Sequence, residues 1–183
     1  MRGLSVRRAR HPEMSEVAKL IREVFQGYDA YYATLGLRHA RTLVAEVRGA
    51  LVGFTEVYVT EVLGSRVGVI YYIGVKPGFR RKGVGRALEA EAVRWFTRRG
   101  CSYSMASTVR SNVASRAFFR RLGYREVLLE ELFDALGSRA WLVIDALYAY
   151  EDDVFFLKAL SERRGSRDPL ARLVGRAGRD GKA

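Results

Sequence analysis

The sequence predicts a mixed α+β fold in which helices flank a central, mostly antiparallel sheet of about seven strands. Two observations lead to this fold class. Runs of strand length alternate with amphipathic runs of helical spacing, and the early strands follow one another as hairpins before a strand-and-helix unit begins. The chain has 183 residues, of which 49% are hydrophobic. That is enough for one globular domain with its own core.

The chain begins with a predicted strand and helix. Residues 4–10 alternate apolar and basic side chains, as an edge strand does, and Pro12 ends the run. The helix that follows is marked by apolar residues at helical spacing: Val17, Leu20, Ile21, Val24 and Phe25. A tyrosine-rich segment, residues 27–39, comes next. A core-packing aromatic cluster is one interpretation of this segment.

Hairpins form the next part of the predicted sheet. Residues 42–47 and 50–60 read as strands that meet at a tight turn over residues 48–49. A second turn, residues 63–66, leads into another strand. The last part of that strand, residues 69–75, is continuously apolar, which indicates burial.

A basic, glycine-spaced turn follows that strand and opens a helix, on which Val84, Leu88, Ala92 and Trp95 recur at helical spacing as a stripe that can lie on the sheet. The residues of the turn are Arg80, Arg81, Lys82, Gly83, Val84, Gly85 and Arg86. Gly83 and Gly85 remove side chains where a ligand could approach the backbone, and the first helical turn leaves N–H groups without partners. With the helix dipole and four cations, this turn predicts a pyrophosphate site. A tight turn with a solvated basic face is the alternative.

The next elements are predicted to close the sheet. Residues 101–109 read as a strand, followed by a helix over residues 112–122. Ser111 is a suitable N-cap for this helix, and Gly123 is a suitable stop.

A longer connection, residues 130–152, separates residues 124–129 from the predicted last strand, residues 153–159. This insert is apolar enough to form one or two helices against the core, or to offer a partner surface. Residues 161–183 are rich in Arg and Gly and predict a flexible, basic tail. Residues 1–160 would then be the folded domain.

The net charge and the few cysteines and histidines indicate which partners and cofactors the sequence favours. The formal net charge is +12, which would suit nucleic acid, but a basic surface also accompanies an anionic cofactor. A nucleic-acid partner is therefore an alternative that is not favoured. The single cysteine, Cys101, excludes an intrachain disulfide and suits a reducing cytoplasm. No metal site is expected, since the chain has only two histidines. The first residues do not resemble a secretory signal. No apolar run reaches about 18 residues, so no membrane-spanning helix is expected.

Two motifs carry a resemblance to a known family. Arg80-x-x-Gly83-x-Gly85, directly after an apolar strand, resembles the acetyl-CoA signature R/Q-x-x-G-x-G/A of the Gcn5-related N-acetyltransferases (GNAT). The segment from Asn112 to Tyr124 resembles the family's N-x-x-A-x-x-L-Y-x-x-x-G-F. The resemblance covers about residues 4–160 and implies a GNAT-like sheet that is splayed at the CoA-binding strand.

The resemblance implies direct transfer of an acetyl group from acetyl-CoA to a primary amine on a protein or small molecule. The pantetheine arm would lie along the strand edge at Ile73, Gly74 and Val75, and the pyrophosphate would lie at residues 80–86. Asn112 would contact the cofactor arm. The tyrosine-rich segment, residues 27–39, lies where members of the family cover the acceptor. Phe119 occupies the position of the family tyrosine that protonates the leaving thiolate, so it too would lie beside the cofactor.

The sequence departs from the family pattern at the catalytic positions. Val69 and Ser107 stand where several members have a catalytic glutamate. An amine attacks only when it is neutral, so a base or a water chain is needed. Glu56 is the nearest candidate carboxylate, with Tyr71 as a polar neighbour of the cofactor. A solvent-facing Glu56 is the alternative.

The second departure concerns the proton donor, because Phe119 cannot donate a proton. Ser115 lies one helical turn earlier and is the candidate donor. A serine hydroxyl that bonds back to its own helix, with water as the donor, is the alternative.

Two other functions stay open for a protein of this fold. One is a non-catalytic, regulatory CoA-binding module, and the other is a basic nucleic-acid-associated protein. An oligomer also stays open.

Overall fold

The seven strands form one sheet in the order β1-β2-β3-β4-β5-β7-β6. The structure, a computed structural model, describes residues 3–160 and 168–180. The strands are β1 (Leu4–Arg8), β2 (Arg41–Val47), β3 (Ala50–Val62), β4 (Ser65–Val75), β5 (Tyr103–Thr108), β6 (Arg125–Leu128) and β7 (Val154–Ala159). β4 and β5 pair in parallel, whereas β1 with β2, β2 with β3, β5 with β7 and β6 with β7 pair antiparallel. The mixed, mostly antiparallel sheet is confirmed.

The helices are α1 (Met14–Val24), α2 (Gly27–Gly36), α3 (Val84–Arg98), α4 (Val113–Arg121), α5 (Leu129–Leu136), α6 (Ala140–Leu147) and α7 (Pro169–Asp180). The chain divides into two compact units. The first comprises Met1–Tyr58 and Ile70–Trp95, and the second comprises Val59–Val69 and Phe96–Ala183.

The first unit has an apolar core between its helices and strands. The buried face of α1, with Val17, Leu20 and Ile21, packs with Val44 of β2 and Phe54 of β3. Gly53 lets α3 approach the sheet, since a Cβ atom there would stand 3.2 Å from Leu88 Cδ1 and from Val84 Cγ1. This contact fixes the start of α3 against the strands.

The β2–β3 hairpin turn follows the sequence prediction. Arg48 has φ 52° and Gly49 has φ 83°. Positive φ at both central residues is what a type I′ hairpin turn requires, and glycine adopts it without strain.

The second unit contains the predicted insert, which forms the helices α5 and α6 joined by a short 3₁₀ turn. Both helices bury apolar residues: Leu132, Leu136, Ala140, Val143, Ile144 and Leu147. Helical packing against the core is therefore confirmed for the insert.

The prediction of a flexible tail is wrong for residues 169–180, which form α7. Leu170 and Leu173 are buried, so this basic segment has an apolar face that the Arg and Gly content obscures. Residues 161–167 and 181–183 lie outside the described residues.

Candidate functional site

β4 continues well beyond its short pairing with β5. The pairing covers Val67–Val69, opposite Tyr103–Met105. β4 continues to Val75, and among the described residues no β5 residue stands in register beyond Val69. An unpaired strand edge can form main-chain hydrogen bonds with an extended ligand. Ile73 and Val75, the predicted contacts of the pantetheine arm, lie on this part of β4.

Gly74, between them, has a packing reason to be glycine. It is buried, and a Cβ atom there would stand 2.7 Å from Phe54 Cε1 and 2.9 Å from Val24 Cγ1. No larger side chain fits without moving α1 or β3. The contact of Gly74 with a cofactor stays a prediction.

The basic turn leads directly into α3, which begins at Val84, as its glycine-spaced sequence predicts. Gly83 has φ 86°, and no atom lies within 4 Å of a Cβ placed there, so the backbone conformation and not crowding favours glycine. The Ala87 N–H donates to the Gly83 carbonyl over 3.0 Å as the first bond of the helix. The N–H groups of Val84, Gly85 and Arg86 precede that bond and have no intrahelical acceptor.

Two basic side chains of this turn also donate hydrogen bonds to nearby backbone carbonyl groups. Arg80 Nε donates to the Val75 carbonyl over 3.0 Å, and Lys82 Nζ donates to the Gly78 carbonyl over 2.8 Å. Both side chains are exposed, as are Arg81 and Arg86. The turn therefore has an exposed positive surface at a helix N-terminus, which is the arrangement that binds phosphate groups. Val84 differs from its neighbours, since its side chain is buried.

Glu56 is buried in β3, which shows that the solvent-facing alternative is wrong. Its exposed fraction is 0%, and neither carboxyl oxygen has a hydrogen-bond partner among the described residues. Burial raises the pKa of Glu56 to about 8. Thr42 stands opposite it in register on β2, and its buried hydroxyl is likewise unpartnered in the part of the chain that the structure describes. Two unsatisfied polar side chains thus lie side by side.

Tyr71 lies in a cluster of aromatic rings. Its ring meets Tyr58 edge-on at 5.9 Å and Tyr72 at 4.7 Å, and Tyr72 meets Phe25 at 5.5 Å. Tyr71 is half-buried. It therefore stands on a polar and aromatic part of β4, just before the predicted pantetheine contacts.

The tyrosine-rich segment forms α2, and most of its rings face outward. Tyr28 is 77% exposed and Tyr31 is 63% exposed, so the interpretation as a core cluster is wrong for these rings. Gly27, Tyr28, Tyr31 and Tyr32 line an open pocket. The sequence held a signal for this pocket, because Tyr28, Tyr31 and Tyr32 have the spacing of one helix face.

Asn112 caps α4, a role that the sequence analysis gave to Ser111. Asn112 Oδ1 accepts from the Ser115 N–H over 3.0 Å, and Asn112 Nδ2 donates to Thr108 Oγ1 over 3.2 Å. The helix starts at Val113, one residue later than predicted, so Ser111 lies outside the capping position. Asn112 is exposed, and its contact with a cofactor stays a prediction.

Phe119 and Ser115 differ in burial. Phe119 is 2% exposed, stacks on Phe156 at 4.8 Å and meets Tyr124 at 5.1 Å, so its ring belongs to the core of the second unit. Ser115 is half-buried. A cofactor contact of Phe119 and proton donation by Ser115 both stay predictions.

Within residues 3–160 and 168–180, no group of three or more His, Cys, Asp or Glu side chains is placed to bind a metal ion. The helices of these same ranges include none that is long and apolar enough to cross a bilayer.

A strand that continues beyond its pairing, a glycine turn and a basic helix N-terminus are features of the acetyltransferase class that the two motifs resemble. Residues 8–124 match the Acetyltransferase (GNAT) family, and the chain belongs to that family.

Two relatives and one solved structure are similar to this chain. An aminoglycoside N(6')-acetyltransferase type 1 from Salmonella typhimurium is 31% identical over 93 residues, which are 48% of this chain and 64% of that protein. A mycothiol acetyltransferase from Amycolatopsis mediterranei is 34% identical over 86 residues, which are 44% of this chain and 29% of that protein. The chain thus spans less than two thirds of the length of either relative.

The solved structure is that of AAC(6')-Iy in complex with the bisubstrate analog CoA-S-monomethyl-acetylneamine. Its TM-score is 0.58 at 26% identity, over 67% of this chain and 90% of that one. A GNAT-type fold therefore extends over two thirds of the present chain.

Proposed function

We propose that this protein is an acetyl-CoA-dependent N-acetyltransferase that moves the acetyl group directly to a primary amine. The observation that carries the proposal is the end of β4 at Ile73–Val75, beyond the register with β5, followed by the basic turn and the start of α3. Membership of the GNAT family and its N-acetyltransferase relatives support it.

Acetyl-CoA fits the residues of the first unit. Main-chain groups at Ile73 and Val75 would bind the pantetheine arm, because an extended amide chain can add to a strand edge. The N–H groups of Val84, Gly85 and Arg86 would bind the pyrophosphate, with exposed arginines beside them. The open space at Gly83 leaves room for the phosphates to approach the backbone. Acetyl-CoA supplies an acetyl thioester, from which the acetyl group passes to the amine nitrogen with release of the thiol.

The tyrosine pocket of α2 is the proposed acceptor site. Its rings offer apolar faces to the body of an acceptor and π faces to an ammonium group. Gly36, which adjoins the Glu56 carboxyl group, lies four residues after Tyr32 and so on the same face of α2, one turn further on. The tyrosine pocket and the glycine that contacts Glu56 are therefore about one turn apart on α2.

Glu56 is the proposed base. An attacking ammonium group must lose a proton, and a carboxylate with a pKa near 8 is a much stronger base than an ordinary glutamate. The buried carboxyl would reach the amine through a chain of water or after a shift of α2. Tyr71 would lie beside the reacting groups on β4, and Ser115 would assist departure of the thiolate.

The test is a thiol-release assay with acetyl-CoA and a panel of amines. The panel holds an aminoglycoside, tyramine, a peptide with a free N-terminus and an N-blocked lysine peptide. Turnover with at least one amine is expected, and kcat/KM should rise with pH towards about 8 for the wild type. Glu56→Gln should lower turnover by about 10²-fold or more and remove the inflection near pH 8, so that the remaining rise follows deprotonation of the amine itself. Glu61→Gln, an exposed acid of the same strand, should do neither.

CoA binding without turnover on any amine would favour the regulatory CoA-binding module instead. A steep salt dependence of duplex DNA binding, with no CoA binding, would favour the nucleic-acid alternative. A cytoplasmic location is proposed from the single cysteine, whose buried thiol is free.

A further inference from the structure

Helix α6 of the second unit is apolar on its outer face as well as its inner face. Its sequence, AWLVIDAL, has one charged residue, Asp145. Ala140, Val143, Ile144 and Leu147 are buried, while Trp141 is 54% and Leu142 is 51% exposed. A surface helix normally places polar residues on its outer side. The outer face of α6 therefore has the composition of a contact surface.

The exposed side chains of this region form one surface, the α6 patch, which consists of Trp141, Leu142, Asp145, Tyr148 and Tyr150. Trp141 and Leu142 lie one turn before Asp145 on the same helix face. Loss of contact with water raises the pKa of Tyr150, and the neighbouring Asp145 side chain and Tyr148 raise it further.

The Trp141 ring of the patch packs against a neighbouring ring, which reduces the side-chain entropy that a partner must remove. The Trp141 ring meets Phe133 of α5 edge-on at 5.6 Å. Tyr148 ends α6 in the left-handed region, with φ 54°. Positioned Trp and Tyr side chains are the residues that most often dominate binding energy at protein interfaces.

The charge around the α6 patch is opposite to that of the chain. Residues 130–153 hold seven acidic residues and one basic residue, Arg139, although the whole chain has a net charge of +12. Glu130 and Glu131 are paired with arginines. Asp134, Asp145 and Glu151 are exposed, so this part of the chain presents acidic groups as well as rings to the solvent.

We propose that the α6 patch binds a peptide segment of a partner protein that carries arginine or lysine between apolar residues. Guanidinium and ammonium groups are attracted both to carboxylates and to the faces of Trp and Tyr. Apolar residues of the same segment would cover Trp141 and Leu142. Nucleic acid and anionic membranes would be repelled by the carboxylates. Two α6 patches packed on each other would bring like-charged carboxylates together, which is unfavourable.

The test uses a fluorescein-labelled peptide of twelve residues in which arginine and leucine alternate, acetylated at its N-terminus and amidated at its C-terminus. The peptide has no primary amine, so it cannot act as an acetyl acceptor. Fluorescence anisotropy with the full chain should show saturable binding that weakens with salt. A peptide with glutamate in place of arginine should bind only at basic surfaces, so its binding should not change when the α6 patch is substituted.

The variants separate the α6 patch from other surfaces. The double variant Trp141→Ser with Leu142→Ser should bind the arginine peptide at least tenfold more weakly, and Asp145→Asn severalfold more weakly. Glu16→Gln, an exposed acid on α1, is the matched control and should bind as the wild type does. The replaced side chains are exposed, and circular dichroism verifies that each variant is folded.

Two outcomes would overturn the proposal. In the first, the double variant binds the arginine peptide as tightly as the wild type. In the second, sedimentation shows a wild-type dimer that the double variant dissociates, which would make a second copy of the chain the occupant of the α6 patch.

Discussion

The carboxyl group of Glu56 lies so close to Gly36 that a Cβ atom on Gly36 would stand 2.3 Å from Glu56 Oε2. Gly36 is the last residue of α2, and both residues are buried. A glycine at this position lets the tyrosine-bearing helix pack directly on a buried acid. The position of α2 and the state of Glu56 should therefore depend on each other.

Gly36→Ala should destabilise the protein by about 1 to 3 kcal/mol, because the new methyl group overlaps the carboxyl group. Without that overlap, alanine in a helix would stabilise by up to about 1 kcal/mol relative to glycine. Urea denaturation measures the difference. In a Glu56→Ala background the same substitution should be harmless, and a gain in stability in the Glu56 protein would contradict the close contact.

The free energy of unfolding should fall as pH rises from about 4.5 to about 8, the interval between the ordinary pKa and the raised pKa of Glu56. In this window the folded protein keeps a proton that the unfolded chain releases, so the unfolded state is favoured increasingly, by at most about 1.4 kcal/mol per pH unit. Above pH 8 both states have lost the proton and this contribution levels off.

Glu56→Gln removes the titrating group and should flatten that decline. The measurement is urea denaturation at pH 5, 7 and 9, with Glu61→Gln as the control on the same strand. If the Glu56→Gln protein loses stability with pH as steeply as the wild type does, another group is responsible.

Gly85→Glu should abolish detectable acetyl-CoA binding while the protein stays folded. The change puts a negative side chain into the first turn of α3, where the proposed pyrophosphate would meet the N–H groups. Isothermal calorimetry measures the affinity. Gly78→Glu changes the charge equally, and a Cβ atom there meets no neighbour within 4 Å. A Gly85→Glu protein that binds as tightly as the Gly78→Glu control would place the phosphates elsewhere.

Asn112→Ala should destabilise the protein by about 1 kcal/mol through loss of the α4 cap. Asn112→Asp keeps the oxygen that accepts from the Ser115 N–H and should retain most of the stability. Calorimetry with acetyl-CoA separates the two roles. If the Asp variant binds acetyl-CoA more weakly at unchanged stability, Asn112 contacts the cofactor. If its affinity equals that of the wild type, the role of Asn112 is to cap α4.

Ser115→Ala should lower turnover with little change in acetyl-CoA affinity if its hydroxyl assists the leaving thiolate, because general acid help is worth about 10² or more in rate. Phe119→Tyr adds a hydroxyl to a ring in the core and should cost about 1 to 3 kcal/mol unless the hydroxyl finds a partner. Steady-state kinetics of both variants, with thermal unfolding as the control, measure these effects. Unchanged turnover in Ser115→Ala would leave water as the donor.

The sequence determined the features that depend on neighbouring residues. The glycine at 83, with its positive φ, and the start of α3 at Val84 follow from local backbone preferences. Helical spacing also identified Val84, Leu88 and Ala92 as a buried stripe. The family motifs lie in these same segments, which is why the class of protein could be inferred from sequence.

The tertiary structure decided which partner each side chain meets. The fourth buried apolar residue of the α3 stripe is Phe96 and not the expected Trp95. Phe96 lies against Gly68, where a Cβ atom would overlap its ring, whereas Trp95 is half-buried beneath the Arg41 guanidinium at 5.2 Å. Adjacent positions on a helix differ by about 100°, so only the location of the sheet glycine selects between them.

Glu56 shows the same division for the candidate site. Alternation along β3 places it on one face of the sheet, but it does not say whether that face is covered. In the structure, Gly36 at the end of α2 packs against the Glu56 carboxyl group. Burial removes water from this carboxyl group and raises its pKa to about 8. Burial is a property of non-local packing, and for that reason local sequence could propose Glu56 but not its chemistry.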